Sequence, residues 1–458
     1  MTGRLSSNVS GGVPVSEGNR TEIGVWSELP PGARWANEGI SRIVGFLIEG
    51  GAETGDYTFR VLVPRGMAET VRDDLRTLIA KEGVDWIVDE PTAAFEAKWI
   101  KQNGPISGKS AIAASMAAYA NSQIDVAGWI NTFPHFTGSR LLNGRKAVLL
   151  PDAIPYDFPI GWDYNHYWGP QGEWVQWKQI ARETLSDGQA VIAHSKHVAR
   201  RHGVKLLGLD ESLIRVVPHA PPDLAPILPF IKDRKKTPET LRLAANIVRD
   251  YAATKGLDYL RAFPFEETPF VMVATQDRVT KNVGRAAEVV RRLVRDERKN
   301  LKLFTTAPLH HGANWTLFPG LVAGHQMQHD IVSMPDVPRD VHAALFHCAA
   351  LTIHPTFYEG IVGTLTFYEA VSVGTPCIMG VGPHVRELME TAPELEPLTF
   401  DPYDLSAMRT LVLDVLKDPE AAVDLQRPAY ERRRKRGWAA VAQAYADAAA
   451  GFDGPGAA

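Results

Sequence analysis

Two glutamates, Glu359 and Glu369, frame the stretch HPTFYEGIVGTLTFYEAVSVGTPCI, residues 354–378. Carboxylates rarely sit in apolar runs unless something pairs with them. The run ALTIHPTF reads as a buried strand, and TLTFYEAVSVG reads as a helix. Glu359 and Gly360 therefore stand at the carboxyl end of a strand, and residues 360–364 open a helix. A helix N-terminus carries unpaired N–H groups and partial positive charge. Glycine lets an anion approach that backbone closely. The pattern suits a diphosphate held by the main chain at Gly360, Ile361, Val362, Gly363, Thr364 and Leu365. Glu359 would then hold sugar hydroxyls at one end, and Glu369 ribose hydroxyls at the other. Thr364 either caps the helix or binds phosphate. The structural alternative is a Glu359 that caps the turn and a Glu369 that faces solvent.

A diphosphate needs cations. ATQDRVTKNVGRAAE (274–288) supplies Arg278 and Lys281, with Asn282 at the start of the next helix. Arg meets phosphate as a fork and Lys as a point charge. Read alone, this is a solvated basic loop; its place at the same sheet edge as Glu359 favours the phosphate reading.

Other candidates are weaker. GWDYNHYWGPQGEWVQWK (161–178) carries four Trp and two Tyr, a platform for a sugar acceptor or simple packing under a loop. His310-His311 and His342/His347 lack ligand spacing, so no metal is expected. There is no Asp-x-Asp pair, Walker loop, Gly-x-Gly-x-x-Gly or Gly-x-Ser-x-Gly elbow. The net charge of -4 leaves no basic face for nucleic acid. Cys348 and Cys377 read as reduced core thiols of a cytosolic protein. ERRRKR (431–436) is a solvated helix face or a patch for peripheral contact with anionic phospholipid.

The elements that must position these residues alternate. EIGVWSEL, YTFRVLVP, VAGWINTF and KAVLLPDAIP read as strands, as do AVIAHS and LIRVV. A helix in RWANEGISRIVGFLIEGGAE is expected to stop at Gly50-Gly51. A second alternating block starts at PFVMVATQDR. ERRRKRGWAAVAQAYADAAA reads as one last helix. The expected divisions are a polar, disordered leader over 1–20, a first α/β domain over 21–222, a linker with a connecting helix over 223–268, a second α/β domain over 269–425 and a closing helical segment over 426–458. No run of 18 or more apolar residues spans a membrane, and no secretory signal is expected.

EGIVGTLTFYEAVSVGTPCIMGVGPHVREL resembles the sugar-nucleotide segment of retaining GT-B glycosyltransferases of the family 4 type, with Glu359, Glu369, Ala370, Gly374 and Pro376 in its pattern. NEGISRIVGFLIEGG is similar to that family's N-terminal glycine loop, which implies phosphate contacts at Gly39 and Ser41. LLPDAIPYDFP is similar to a segment that usually reads His-Asp-x-x-Pro. Asp152 is kept there, Pro151 replaces the histidine, and His135 in NTFPHFTG is a candidate substitute. VATQDRVTKN and RRKRGWAAVAQAY are similar to its Lys-Asn loop and its closing Trp-containing helix. Nine residues, Gly360–Tyr368, separate the glutamates, read as a two-residue insertion in the family's turn.

The resemblance implies an α/β protein of the GT-B fold: two Rossmann-like doubly wound domains facing a cleft, the first for the acceptor and the second for the nucleotide sugar, with the last helix crossing back to the first. It implies metal-independent transfer of a hexose from a nucleotide-diphosphate sugar to a saccharide or lipid-linked acceptor, with no other cofactor. Glu359, Arg278 and Lys281 would be catalytic, in bacterial surface polysaccharide or glycoconjugate synthesis, in the cytoplasm or at the inner face of the membrane. The alternative is an inactive GT-B subunit that binds a nucleotide sugar or a partner. A sugar-nucleotide epimerase or hydrolase is a third reading.

Overall fold

A computed structural model describes residues 20–451, apart from 31, 34, 36–38, 80–82, 85, 155–172 and 310–317. The leader, Glu38, the His310-His311 pair and most of the aromatic run lie outside the described residues.

The first sheet has seven parallel strands in the order β3-β2-β1-β4-β5-β6-β7. They are β1 Thr21–Trp26, β2 Tyr57–Leu62, β3 Ile87–Asp89, β4 Gly128–Asn131, β5 Lys146–Leu150, β6 Ala190–Ala193 and β7 Ile214–Val216. The second has six, in the order β10-β9-β8-β11-β12-β13. They are β8 Phe270–Val273, β9 Lys302–Thr305, β10 Ile331–Ser333, β11 Leu351–His354, β12 Cys377–Gly380 and β13 Thr399–Phe400. The central strands are buried on both faces, as in AVIA, FVMV and LTIH. Parallel strands covered by helices on both sides require continuous apolar runs. In each sheet the chain order reverses beside the first strand, at β1/β4 and at β8/β11. Ligands of open α/β sheets collect at the carboxyl ends of strands beside such a switch.

The helix Gly39–Thr54 runs through Gly50 and Gly51 instead of stopping there. These glycines are close-packing positions: a Cβ on Gly50 would lie 2.3 Å from the Trp438 carbonyl oxygen, and one on Gly51 would lie 2.8 Å from the Phe59 ring. The closing segment is two helices. Pro419–Arg434 stays with the second sheet, and Trp438–Ala450 begins after the N-cap Gly437. The latter crosses to the first unit and buries Val441, Ala442, Tyr445, Ala446 and Ala449 among Ile23, Val25, Val44, Leu47 and Ile130. Trp438 stacks on Phe46 at 4.3 Å, an aromatic pair of about 0.5–1.5 kcal/mol. The helix Pro238–Thr254, expected as a connector, buries Ala244, Ala245, Val248 and Ala252 in the second core.

Among the described residues no helix is long and apolar enough to cross a membrane. Cys348 and Cys377 are free and buried.

Candidate functional site

Residues from the loops that follow strands meet between the two units. Asp152 follows β5, Ser195 follows β6, Lys281 follows β8 and Glu359 follows β11. Local hydrogen bonds bring the last two together. The Phe357 N–H donates to the Thr280 carbonyl at 2.9 Å. The Asn282 amide donates to the carbonyls of Pro355 and Pro402 at 3.0 and 3.1 Å. Asn282 itself sits at φ 57, in the left-handed region that asparagine tolerates. Its side chain thus knits the 278–282 loop to the exit of β11.

Lys281 Nζ donates to Glu359 Oε1 at 2.5 Å, and His354 Nε2 lies 3.4 Å from the same oxygen. Both side chains of the ion pair stay about one-fifth exposed, at 22% and 19%. Burial opposes ionisation of Glu359, but Lys281, His354 and His384 outweigh it and hold the carboxyl well below the usual carboxylate range. Asp152, half-buried opposite, accepts the Ile154 N–H at 3.1 Å. Burial pushes its carboxyl above the usual range and the charge of Glu359 adds to the rise, against the pull of the Ile154 N–H, Lys281 and Arg278. Arg278 is exposed, and its guanidinium has no hydrogen bond or ion pair among the described residues.

The turn 360–364 divides its tasks. The Thr364 hydroxyl accepts the Phe367 N–H at 2.9 Å and caps the helix Leu365–Ser372. Gly363, at φ 72, donates its N–H to the His384 carbonyl. The N–H groups of Ile361, Val362 and Thr364 donate to nothing among the described residues. Leu365 begins the helix, where the first N–H groups have no helical acceptor. Gly360 serves the domain contact: a Cβ there would lie 2.0 Å from the Pro151 carbonyl oxygen. The Ser195 hydroxyl donates to the Gly360 carbonyl at 2.9 Å. Gly374 approaches the Arg234 carbonyl in the same way.

Glu369 is not open to solvent. Its side chain is 3% exposed; Arg42 of the first unit donates to Oε1, and His342 Nε2 lies 3.5 Å from Oε2. Burial raises its pKa, but Arg42 and His342 prevail and hold it at about 2. The ribose carboxylate expected from spacing is, in this structure, half of an ion pair between the units. Gly39 is exposed at the start of its helix and Ser41 is buried in the same first turn. His135 lies past β4, but its ring packs against Phe133 and Trp177, and Nε2 meets the Trp177 carbonyl at 3.2 Å.

Arg42, His354, His384 and Glu387 escaped the sequence reading. Arg42 left a signal, since it is the one cation in GISRIVGFLIEGG. His354 ends the buried strand LTIH. His384 is 1% exposed with neither ring nitrogen hydrogen-bonded among the described residues. Glu387 accepts the N–H groups of Lys196 and His197 at 2.8 and 3.0 Å, so it caps a helix of the opposite unit. His347 is structural: its nitrogens meet the Val373 carbonyl and the Thr240 hydroxyl. No group of three or more His, Cys, Asp or Glu among the described residues could hold a metal ion.

No family model matches the chain, and no curated protein matches it in sequence. Solved structures match it over nearly its whole length. Sucrose-phosphate synthase from Thermosynechococcus elongatus superposes with a TM-score of 0.61 at 14% identity, covering 93% of this chain and 97% of that one. HepE from Anabaena, in complex with UDP-glucose, gives 0.63 at 10% identity over 93% and 99%. A glycosyltransferase from Rickettsia africae gives 0.58 at 12% identity over 93% and 96%. The parallel sheets, the cleft at their carboxyl ends and the returning helix, together with these matches, show that the chain has the GT-B fold.

Proposed function

We propose that the protein is a glycosyltransferase that moves a hexose from a nucleotide-diphosphate sugar to an acceptor hydroxyl, with the anomeric configuration retained. The observation that carries this reading is the Lys281–Glu359 pair beside the undonated N–H groups of Ile361, Val362 and Thr364. A cation and main-chain donors converge where a leaving diphosphate would gain charge. An ammonium has three donors, and only Glu359 engages Lys281 among the described residues. Glu359 stays ionised and accepts hydroxyls of the donor sugar. Arg278 supplies a second cation from the same loop. Asp152 faces this group from the first unit. Glu369 holds the ribose once Arg42 yields. Gly39 and Ser41 close on the phosphates. HepE was crystallised with UDP-glucose, which supports a nucleotide sugar as donor.

The chemistry follows from these placements. The acceptor oxygen attacks the anomeric carbon on the face that the diphosphate leaves, the C–O bond to phosphate breaks, and the departing phosphate oxygen takes the acceptor proton. No side chain needs to become a nucleophile. Closure of the units over the cleft keeps water, a competing acceptor, from the sugar. The test is a thermal-shift panel of UDP-, GDP-, ADP- and TDP-sugars followed by product analysis by NMR. One donor should stabilise the protein and yield an axial or equatorial linkage matching its own anomer. No stabilisation by any donor, or an inverted product, would overturn the reading. The setting we propose is surface polysaccharide or glycoconjugate synthesis.

A further inference from the structure

Glu359 is held through a single oxygen. Lys281 Nζ donates to Oε1 at 2.5 Å, and His354 Nε2 lies 3.4 Å from the same atom. No partner of Oε2 is found among the described residues. We propose that His354 is a positioning residue: when a diphosphate draws Lys281 away from Glu359, His354 takes a proton from solvent and becomes the cation that holds the carboxylate. The inference rests on the nucleotide-sugar reading above. It adds the partner of Glu359 in the loaded site and a proton to the binding step.

The need for such a cation follows from charge. A sugar nucleotide brings a negative charge on each of its phosphates. The 278–281 loop offers a cation for each, Arg278 and Lys281, but Lys281 already neutralises Glu359. An ammonium given over to phosphate leaves Glu359, 19% exposed, with no full positive charge against it. The free N–H groups of the 360–364 turn carry only partial charge. A carboxylate largely out of water and unpaired is costly, so the loaded site is stabilised by one further positive charge.

His354 is placed to supply it. It closes β11 and is 4% exposed. In the unliganded protein burial lowers its proton affinity, Glu359 raises it and Lys281 lowers it again, so the imidazole is neutral at pH 7. Withdrawal of Lys281 removes an opposing charge, the pull of Glu359 remains, and the incoming phosphates add to that pull. An imidazolium donates from both ring nitrogens, and Nε2 already faces Oε1. Oε2 stays open for hydroxyls of the donor sugar. The neighbouring groups leave His354 this task. His384 stands behind it, with ring centroids 5.9 Å apart; burial holds His384 at about 3, and a charge on His354 opposes one there. From the first unit His197 faces His384, and Asp152 faces Glu359, Lys281 and Arg278. Asp152 is the competing site for the proton, since burial already raises its carboxyl and Glu359 adds to the rise. The Tyr358 hydroxyl turns to His202 Nδ1 instead, at 3.5 Å.

The test uses the full chain and calorimetry at pH 7.5 in buffers of different ionisation enthalpy, which reads protons taken up on binding. The probe is the sugar nucleotide found in the donor panel, without acceptor; its phosphates do not titrate near neutrality. Wild type should take up a proton as it binds. The uptake should be lost in His354→Gln and retained in Asp152→Asn and His384→Gln, with melting curves to confirm that the variants fold. A second measurement needs no nucleotide. Ring NMR of His354, assigned by difference from His354→Gln, is compared in wild type and Lys281→Ala. Removal of the ammonium should raise the proton affinity of His354 on the order of tenfold. No uptake by wild type, uptake that survives in His354→Gln, its loss in Asp152→Asn or His384→Gln, or an unmoved His354 titration in Lys281→Ala would overturn the inference, while donor binding in any of these cases leaves the glycosyl-transfer reading standing. A raised titration in a protein that binds no sugar nucleotide would support His354 as the second partner of Glu359 and sink glycosyl transfer.

Discussion

Arg42 donates to Glu369 across the cleft, between residues 327 apart in sequence, and His342 approaches the second carboxylate oxygen. The two units are thus held by a charge that the fold has nearly removed from water. A buried carboxylate left without its partner is strongly destabilising, by about 3–5 kcal/mol. Arg42 remains 31% exposed, so Arg42→Ala is expected to cost about 3 kcal/mol, the low end of that range. Glu369→Gln added to it should restore part of the melting temperature. An unchanged melting temperature in Arg42→Ala would show that the pair does not hold the units together.

The same pair sets an acid limit. The folded pKa of Glu369, about 2, lies below its ordinary 4.5. The unfolded chain therefore binds more protons in that window, and the stabilisation is present above 4.5 and lost as pH falls toward 2. Buried histidines act earlier. Burial holds His194 and His384 at about 3 and His347 at about 4, against an ordinary 6.5, and it pushes His219 well down as well. Each must gain a proton on unfolding below 6.5, so stability is full above that value and declines as pH falls below it. Melting temperature measured from pH 8 to pH 4 should fall in the acid half; a flat profile between 7 and 5 would contradict this.

Lys281→Ala should lower transfer on the order of 10²–10³-fold, the cost of one preorganised charge stabiliser. Glu359 keeps His354 at 3.4 Å and remains partly exposed, so the fold should survive, as circular dichroism can confirm. Lys281→Arg should recover some activity. Wild-type rates in Lys281→Ala would remove the residue from the mechanism.

Gly360→Ala tests closure separately from binding. The added methyl would meet the Pro151 carbonyl of the opposite unit, so neither unit is strained until they approach. Transfer should fall on the order of 10²-fold through misplacement of the reacting groups, while nucleoside diphosphate still binds by calorimetry. Parallel loss of binding would mean that Gly360 serves the nucleotide instead.

Glu387→Ala removes the carboxylate that caps residues 196–197 from across the cleft. The expected cost is about 0.5–2 kcal/mol, as for other lost N-caps. Small-angle scattering should show a larger radius of gyration as the units separate. An unaltered scattering curve and melting point would make the contact incidental.

Local pattern made the two α/β blocks readable, because apolar runs and helical spacing are properties of neighbouring residues. The strands on either side of both switch points follow from short-range rules, and so does a hydroxyl at Thr364 able to cap its helix. Three of the glycines did not. Gly50, Gly360 and Gly374 suggest a helix stop or a phosphate turn by type alone, yet each meets a carbonyl from a distant segment. Whether a missing Cβ serves a ligand or another stretch of chain is decided by what folds against it. Glu369 shows the same limit with charge: spacing placed it on the right helix, and only the approach of Arg42 gave it a protein partner.

By itself the sequence determined the alternation, the sheet edge where chemistry collects and the residue types that suit a diphosphate there, since these depend on contacts within a few residues. The tertiary structure alone decided which of them are already paired, which face the opposite unit and which histidines surround Glu359. Burial and cross-domain distance are sums over the whole chain, and no short window of residues contains them.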